Sequence, residues 1–384
     1  MIHGQNSIPD CLQHSPVRVI FGAGTESQLG PIVMEVGYRC VLVVTDPGIV
    51  AAGHVERATR SLKQAGAHYA VYDGARENPT TRHVAGGVTL ARQHDIDAII
   101  GLGGGSSMDC AKGINLILTN GGQIADYWGE NKPQAPMLPM ILIPATAGTG
   151  SEAQSFALIS DPVTHQKMAC GDRRLPTDGG LRPRVAILDP DLTLTQPPAV
   201  AAAAGIDAVA HAVETSATTR RNDMSREFSR LAWQLLDRSL PAALTHPTDA
   251  RARAEVLLGA HLAGAAIEES MLGAAHACSN PLTARFGIAH GQAVGAMLPA
   301  VVRFNAGNGH NPYADLHDDA EQLAQRIEAI LQTAGLQARL GKLNVPESAL
   351  PELADLAAQQ WTAGFNPRPV AAEELLGIYR LALD

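Results

Sequence analysis

Short apolar runs alternate with stretches of helical periodicity through the first half of the chain. Five apolar segments predict buried strands at residues 17–21 (VRVIF), 40–45 (CVLVVT), 67–73 (AHYAVYD), 97–103 (DAIIGLG) and 137–144 (MLPMILIP). Helical spacing begins near Glu26 and covers about 53–65, 80–94 and 106–118. This alternation predicts an α/β domain with a mostly parallel sheet and helices on both of its faces.

The pattern changes near residue 190. The segment LDPDLTLTQPP (188–198) holds three prolines and no helical period. Ala- and Leu-rich periodicity then predicts helices at about 199–217, 225–240, 250–269, 293–305, 320–335, 347–361 and 372–383. We therefore expect two domains, an α/β domain over residues 1–190 and an all-α domain over residues 191–384.

Composition excludes several classes of protein. The 384 residues are 46% hydrophobic and 17% charged, without a low-complexity tail, which is typical of folded domains. A net charge of −9 argues against nucleic acid or an anionic membrane surface as the main partner. The N-terminus does not resemble a secretory signal, no apolar stretch is long enough to span a membrane, and the five cysteines are scattered. These features favour a cytoplasmic enzyme with buried thiols.

A glycine-rich segment, GLGGGSSMDCAK (101–112), leaves a predicted strand and opens a predicted helix. The N–H groups at a helix start favour an anion, and Gly103, Gly104 and Gly105 would let a pyrophosphate approach the main chain. The segment is not the GxGxxG fingerprint, and such clusters also form plain tight turns. A second polar loop, PATAGTGSE (144–152), leaves the neighbouring strand on the same side, which favours a dinucleotide site there. The candidate cofactor residues in these two loops include Asp109 and Thr149.

Asp46 follows the predicted strand at 40–45 and lies at the same edge of the sheet. A carboxylate at this position can accept hydrogen bonds from a ribose diol and repel a 2′-phosphate, which favours NAD over NADP. An Asx turn before Pro47 explains the residue equally well.

Asp207 and His211 stand four residues apart in AAAAGIDAVAHAVE (201–214), a spacing that places both on one helix face. An Asp and a His at this spacing more often form a hydrogen bond with each other than bind a metal. Two later histidines, His276 and His290, change that balance, because three neutral imidazoles and one carboxylate suit Zn or Fe(II). Small apolar neighbours would also bury unpaired polar groups at a cost unless something bound them.

Four motifs together resemble one family along essentially the whole chain. They are GGGSSMDCAK, ATAGTGSE, GIDAVAHAVE and HACSNPLTARFGIAHG, and in their order and spacing the chain resembles the iron-containing (group III) alcohol dehydrogenases. The resemblance implies the fold of the dehydroquinate synthase-like superfamily, with a dinucleotide-binding N-terminal domain, a metal-binding helical C-terminal domain and catalysis in the cleft between them.

The resemblance also implies roles for matching residues. It implies metal ligands at Asp207, His211, His276 and His290. It implies contacts with the nicotinamide cofactor at Asp46, Asn78, Gly105, Ser106, Thr146 and Lys167. The expected activity is metal-dependent hydride transfer between NAD, or alternatively NADP, and a small alcohol or aldehyde, with Fe(II) or alternatively Zn as the metal. We also expect a homo-oligomer, a dimer or larger.

Three positions depart from the family pattern. Ala145 and Gln154 stand where many members have threonines, which removes hydroxyl contacts to the cofactor. Asn280 stands where the family often carries a further histidine, four residues after His276. An amide cannot relay a proton near neutral pH, so as a catalytic residue Asn280 would act by hydrogen bonding. Its competing structural role is to turn the chain before Pro281.

Other activities of the superfamily remain as alternatives. A glycerol dehydrogenase-like or maleylacetate reductase-like enzyme would act on a polyol or an oxo acid. A polyanionic substrate requires cationic side chains, and the stretches 207–218 and 260–290 are poor in Lys and Arg. A non-enzymatic nucleotide-binding protein would explain the glycine-rich loop but not four metal ligands from three segments.

Overall fold

The computed structural model describes residues 8–13, 15–164, 166–307 and 310–384. These residues form two compact units. The first unit holds the described residues up to Thr146 together with Ser151–Gln196, and the second holds Ala147–Gly150 and Pro197–Asp384. Compact units and domains need not coincide, so the domain boundary expected at residue 190 stays a prediction.

The first unit is an α/β structure. Its strands in the described residues are β1 (Arg18–Phe21), β2 (Cys40–Val44), β3 (His68–Tyr72), β4 (Ala98–Gly103), β5 (Gly129–Glu130), β6 (Met140–Pro144), β7 (Phe156–Ser160), β8 (Lys167–Gly171) and β9 (Val185–Leu188). Its α-helices there are α1 (Asp10–Gln13), α2 (Leu29–Glu35), α3 (Pro47–Ala51), α4 (His54–Ala65), α5 (Thr81–Ala91) and α6 (Gly105–Asn120).

Six of these strands form one parallel sheet in the order β1-β9-β6-β4-β2-β3. Successive residues of β2 point into different cores: Val41 and Val43 pack with Leu29, whereas Leu42 and Val44 pack with Ile114. Helices therefore cover both faces of the sheet, which explains the continuous apolar runs of its central strands. The predicted parallel α/β architecture is confirmed.

The sequence did not predict four of the strands. The short strand β9 completes the main sheet between β1 and β6. Strands β5, β8 and β7 form a second, three-stranded sheet in which β8 pairs parallel with β5 and antiparallel with β7. Strand β5 has only two residues, and strands as short as β7, β8 and β9 give little periodic signal. Strand β1 is equally short, but the glycine turn GAGT closes its apolar run and marked it.

The second unit is helical in its described residues, as expected. Its α-helices are α7 (Pro198–Ala217), α8 (Asp223–Thr245), α9 (Ala250–Glu269), α10 (Ala274–Phe286), α11 (His290–Asn305), α12 (Ala320–Thr333), α13 (Leu350–Ala358) and α14 (Ala372–Leu381). Across the described chain, no helix combines the length and the apolar content needed to cross a bilayer.

Helix α10 corrects one expectation. The sequence predicted no helix between 269 and 293, and a turn at Asn280 before Pro281 was one interpretation of that residue. In the structure both residues lie inside α10, so the turn is wrong. Proline removes one backbone donor and disfavours a helix locally, but tertiary packing overrides this preference here. The helix packs against α11 and α13 and buries most of its side chains.

Helices α7 and α11 approach so closely that a side chain at Gly291 would not fit. A Cβ built on Gly291 would lie 2.0 Å from the carbonyl oxygen of Ala203 and 2.6 Å from its carbonyl carbon. Main-chain atoms cannot move aside as a flexible side chain can. The glycine therefore sets the distance between the start of α11 and the helix α7.

We predict that Gly291→Ala destabilises the protein by about 1–3 kcal/mol, because overpacking forces the two backbones apart. Gly377 is the matched control: it is exposed within α14, and a Cβ there meets no atom within 4 Å. Gly377→Ala should stabilise the protein by about 0.5–1 kcal/mol, since alanine is the better helix former. Thermal unfolding should give a lower Tm for the first variant and a higher Tm for the second. An unchanged Tm for Gly291→Ala would contradict the close contact.

Candidate functional site

Three helices of the second unit bring together the four residues predicted as metal ligands. Asp207 and His211 lie one turn apart on α7, which places both on the same face. His276 lies in the first turn of α10, and His290 is the first residue of α11. The residues come from distant parts of the sequence, and the folded helices make them neighbours.

One carboxylate oxygen, Oδ1 of Asp207, is the centre of this cluster. The Nε2 atoms of His211 and His276 each lie 3.4 Å from it, and Nε2 of His290 lies 3.6 Å from it. Asp207, His276 and His290 each offer one ligand atom, and these three atoms lie within 4.8 Å of one another. The rings of His211 and His276 stack with their centroids 4.9 Å apart.

The cluster fits a transition metal. Two ligand atoms bound at about 2.1 Å to a tetrahedral centre lie about 3.4 Å apart, which is close to the separations observed. Oδ1 of Asp207 and Nε2 of His276 are buried and have no hydrogen-bond partner, which is costly unless a cation binds there. Nitrogen and oxygen donors of this kind suit Fe(II) and Zn.

The cluster is closed on most sides. The side chains of Asp207, His211 and His276 are 8%, 6% and 5% exposed, whereas that of His290 is 33% exposed. Solvent therefore reaches the cluster mainly beside His290. A substrate that approached the metal would enter from this side.

Charges within the cluster favour cation binding. Burial alone would raise the pKa of Asp207, but His211, His276 and His290 outweigh burial and hold that pKa below its ordinary value. Burial lowers the pKa of His211. Burial also acts to lower the pKa of His276, but Glu214 and Asp207 together raise it to about 9. The carboxylate is thus ionised, and a metal that binds His276 competes with a proton.

The sequence reasoning missed Glu214. This residue lies on α7, and its side chain is buried against His276: Nδ1 of His276 donates to Oε2 of Glu214. Glu214 follows Asp207 by seven residues in GIDAVAHAVE, which places it two turns further along the same helix face. That spacing was the available signal, but a lone glutamate on an apolar helix did not by itself indicate a partner.

Asn280 lies one turn after His276 on α10 and is half-buried. Its amide Nδ2 donates a hydrogen bond of 3.0 Å to Oε1 of Gln360. The residue is thus on the helix that carries a candidate ligand, and its side chain is anchored by a second polar side chain.

In the first unit, three loops meet at the carboxyl ends of the neighbouring strands β2, β4 and β6. Asp46 caps α3 by accepting from the backbone N–H groups of Gly48 and Ile49, so the Asx interpretation holds. Its other oxygen accepts from Ser107 Oγ at 2.7 Å. A Cβ at Gly103 would lie 3.1 Å from this oxygen, and one at Gly104 would lie 3.4 Å from Thr146 Oγ1. Asp46, the glycine-rich loop and Thr146 are therefore adjacent.

The start of α6 offers main-chain donors. Gly104 is its N-cap residue and makes no capping side-chain hydrogen bond, and Gly105 and Ser106 are the first two helical residues. Gly103 has a φ of 145°, a conformation that side chains rarely allow. An anion near this helix start would meet backbone N–H groups directly.

The remaining predicted cofactor residues occupy varied positions. Asn78 is exposed in the loop after β3 and has a φ of 49°. Lys167 is the exposed first residue of β8. Burial raises the pKa of Asp109, and the charge of Lys167 acts in the opposite direction. Asp109 accepts from Ser151 Oγ at 2.8 Å, and Ser151 is also bonded to the buried ammonium of Lys112. These hydrogen bonds connect α6 to Ser151, near the end of the second loop.

Thr149 lies in that second loop, within the segment Ala147–Gly150 of the second unit. The neighbouring Gly150 has a φ of 62° and packs on α9, where its Cβ would lie 2.5 Å from Cα of Gly264. The loop is thus fixed against a helix by contact between two glycines.

Comparison with known proteins identifies the family. Residues 16–190 match the family model described as iron-containing alcohol dehydrogenase. Residues 201–383 match the model described as Fe-containing alcohol dehydrogenase family, C-terminal. The two matches together cover most of the chain, including all the motifs that carry the resemblance.

Individual proteins of this kind match nearly the whole chain. Long-chain-alcohol dehydrogenase 1 of Geobacillus thermodenitrificans is 32% identical and covers 96% of this chain and 97% of its own. NAD-dependent methanol dehydrogenase of Bacillus methanolicus is 29% identical and covers 96% of this chain and 98% of its own. A crystal structure of 1,3-propanediol oxidoreductase is 29% identical, has a TM-score of 0.88, and covers 95% of this chain and 98% of its own. The chain therefore belongs to the iron-containing alcohol dehydrogenase family and is a metal-dependent oxidoreductase of alcohols and aldehydes.

Proposed function

We propose that the protein transfers hydride between NAD and a small, uncharged alcohol or aldehyde at a metal held by four residues. The ligands are Asp207, His211, His276 and His290, and the metal is Fe(II) or alternatively Zn. The observation that carries the proposal is the convergence of three imidazole Nε2 atoms on one buried carboxylate oxygen, at 3.4 to 3.6 Å. A cation at this point would bind Oδ1 of Asp207 and Nε2 of His276, which otherwise lack a hydrogen-bond partner.

The metal, when bound, would supply Lewis acidity that lowers the pKa of an alcohol and polarises a carbonyl. The protein contributes the rest. The carboxylate of Asp207 would offset one positive charge of the metal, and the imidazoles would contribute neutral nitrogen ligands. Access beside the half-exposed His290 leaves room for a small substrate.

NAD is the proposed cofactor because the first unit offers a pyrophosphate site at the start of α6 beside the carboxylate of Asp46. Our proposed set of cofactor residues comprises Asp46, Asn78, Gly103, Gly104, Gly105, Ser106, Asp109, Thr146, Thr149 and Lys167. One relative is named as NAD-dependent, which supports the choice. NADP remains the alternative.

The relatives are named for methanol, 1,3-propanediol and long-chain alcohols, so the family accepts alcohols of very different length. A maleylacetate reductase-like activity is less well supported, because the stretches around the ligands carry few cationic side chains and the sequence keeps a ligating residue at all four candidate positions. Assembly as a homo-oligomer in the cytoplasm is part of the same proposal, and light scattering of the purified protein tests the assembly.

The first prediction of this proposal concerns metal removal. Chelation should abolish NAD reduction by short alcohols, and added Fe(II) or Zn should restore it. His276→Ala should retain no metal and should lose turnover at least about a hundredfold, since a missing ligand opens the metal site. His246→Ala is the matched control, because His246 is exposed at the end of α8, outside the cluster. A metal-free and active His276→Ala protein would contradict the ligand set.

The second prediction concerns cofactor choice. A carboxylate near a 2′-phosphate costs on the order of 1–4 kcal/mol depending on the local dielectric, so kcat/KM should favour NAD over NADP at least about tenfold. Asp46→Asn keeps an oxygen to cap α3 but removes the charge, and it should reduce this preference. Ser107→Ala removes only the hydrogen bond to Asp46 and should leave the preference intact. Equal use of both cofactors by the wild type would mean that Asp46 is a capping residue only.

The third prediction concerns Asn280. If its side chain faces the reacting centre, Asn280→His should introduce a new ionisation near pH 6–7 in the kcat profile, since imidazole titrates there. Gln360→Ala is the control, because it removes the hydrogen bond to Asn280 without adding a titrating group. If the pH profile of Asn280→His matches that of the wild type, Asn280 has no catalytic role.

A further inference from the structure

Glu214 makes two hydrogen bonds that meet at the start of α10. Its Oε2 accepts from Nδ1 of His276, and its Oε1 accepts from the backbone N–H of Ala275 at 2.7 Å. The residue is only 3% exposed. The carboxylate therefore binds both a candidate metal ligand and the main chain that carries this ligand.

The contact with His276 determines which ring nitrogen carries the proton. A carboxylate only accepts hydrogen bonds, so Nδ1 of His276 must be the protonated nitrogen. The lone pair of the neutral ring then lies on Nε2, the atom 3.4 Å from Oδ1 of Asp207. Histidines that bind metals generally need such a partner to fix tautomer and ring orientation.

We propose that Glu214 is a positioning residue that holds His276 in the Nδ1–H tautomer required for metal binding. This inference rests on the proposed function, since it assumes the metal site at Asp207, His211, His276 and His290. Glu214 touches neither substrate nor metal in this role. It acts only through His276.

The number of acceptors makes a carboxylate necessary at this position. Two N–H groups, those of Ala275 and of the His276 ring, point at Glu214, and each of them takes one of its two oxygens. A glutamine has one oxygen only. If that oxygen stays with Ala275, the glutamine NH₂ group faces Nδ1 of His276, and the ring must move its proton to Nε2, where it blocks the metal.

The start of α10 packs closely around the carboxylate of Glu214. A Cβ at Gly273 would lie 3.1 Å from Oε1 of Glu214 and 3.1 Å from Oδ1 of Asn366. Oδ1 of Asn366 in turn accepts from the backbone N–H of Ala274 at 3.3 Å. The first two N–H groups of α10 are thus held by separate side chains. Oδ1 of Asn366 also accepts from Nδ2 of Asn305 at 3.1 Å, so both of its lone pairs are used and it does not replace an oxygen of Glu214.

This account predicts an unusual order of two substitutions. Glu214→Gln preserves shape but presents a donor to His276. Glu214→Ala leaves a polar space in which water can accept from both N–H groups. Both variants lose the same charge. We expect the metal affinity of Glu214→Gln to fall about ten- to a hundredfold below that of the wild type. The affinity of Glu214→Ala should stay several-fold above that of Glu214→Gln.

The experiment titrates metal-free protein with Co(II) against a competing chelator and records the visible d–d spectrum. It also measures the Tm of each metal-free variant. Glu255→Gln is the matched control: Glu255 lies on α9 of the same unit, binds Arg238, Ser239 and Arg251, and touches no candidate ligand. This control should bind Co(II) as the wild type does, with the same spectrum.

The outcomes separate a positioning role of Glu214 from a role in the fold alone. The affinity order wild type, Glu214→Ala, Glu214→Gln, with an altered Co(II) spectrum for Glu214→Gln, supports the positioning role. Glu214→Gln binding Co(II) as tightly as the wild type, or more tightly than Glu214→Ala, would overturn it. A Glu214→Gln protein that does not fold would also overturn it, because the charge would then serve the fold. Wild-type protein that binds no Co(II) would contradict the proposed metal site itself.

Discussion

The burial of one carboxylate is the constraint on which the helical unit depends. Asp207 lies almost fully buried with an oxygen that has no hydrogen-bond partner. An ionised carboxylate in such a place costs several kcal/mol unless opposite charge or donors compensate. Three imidazoles from α7, α10 and α11 surround this oxygen, and their influence holds the pKa of Asp207 below its ordinary value. A metal cation bound among these four side chains, as we propose, would compensate the same carboxylate.

The surrounding sequence follows from the need to bring three helices to one point. Alanine fills much of α7, and Gly291 lets α11 approach the main chain of α7 directly. Gly273 leaves room for the carboxylate of Glu214 behind His276. Small residues thus allow close backbone packing, and this packing holds the candidate metal ligands of the three helices in position.

Periodicity and residue types predicted the two-part architecture and the four candidate ligands, because long helices and repeated apolar strands give strong local signals. Tertiary contacts decided the rest. The helix α10 contains Pro281, so local preference argued against it, and β9 is stabilised by its two neighbours in the sheet. Glu214 could not be assigned a role because its partner lies 62 residues away in the sequence. Asp46 shows that a capping residue and a candidate cofactor residue can be one side chain.

The central claim is that one metal occupies the centre of these four residues. Anomalous diffraction from crystals of metal-loaded protein, collected on both sides of the iron and zinc absorption edges, tests it most directly. The account predicts one strong peak about 2.0–2.3 Å from Oδ1 of Asp207 and from Nε2 of His211, His276 and His290. A peak bound elsewhere, or a metal-loaded active protein without density at this position, would contradict it.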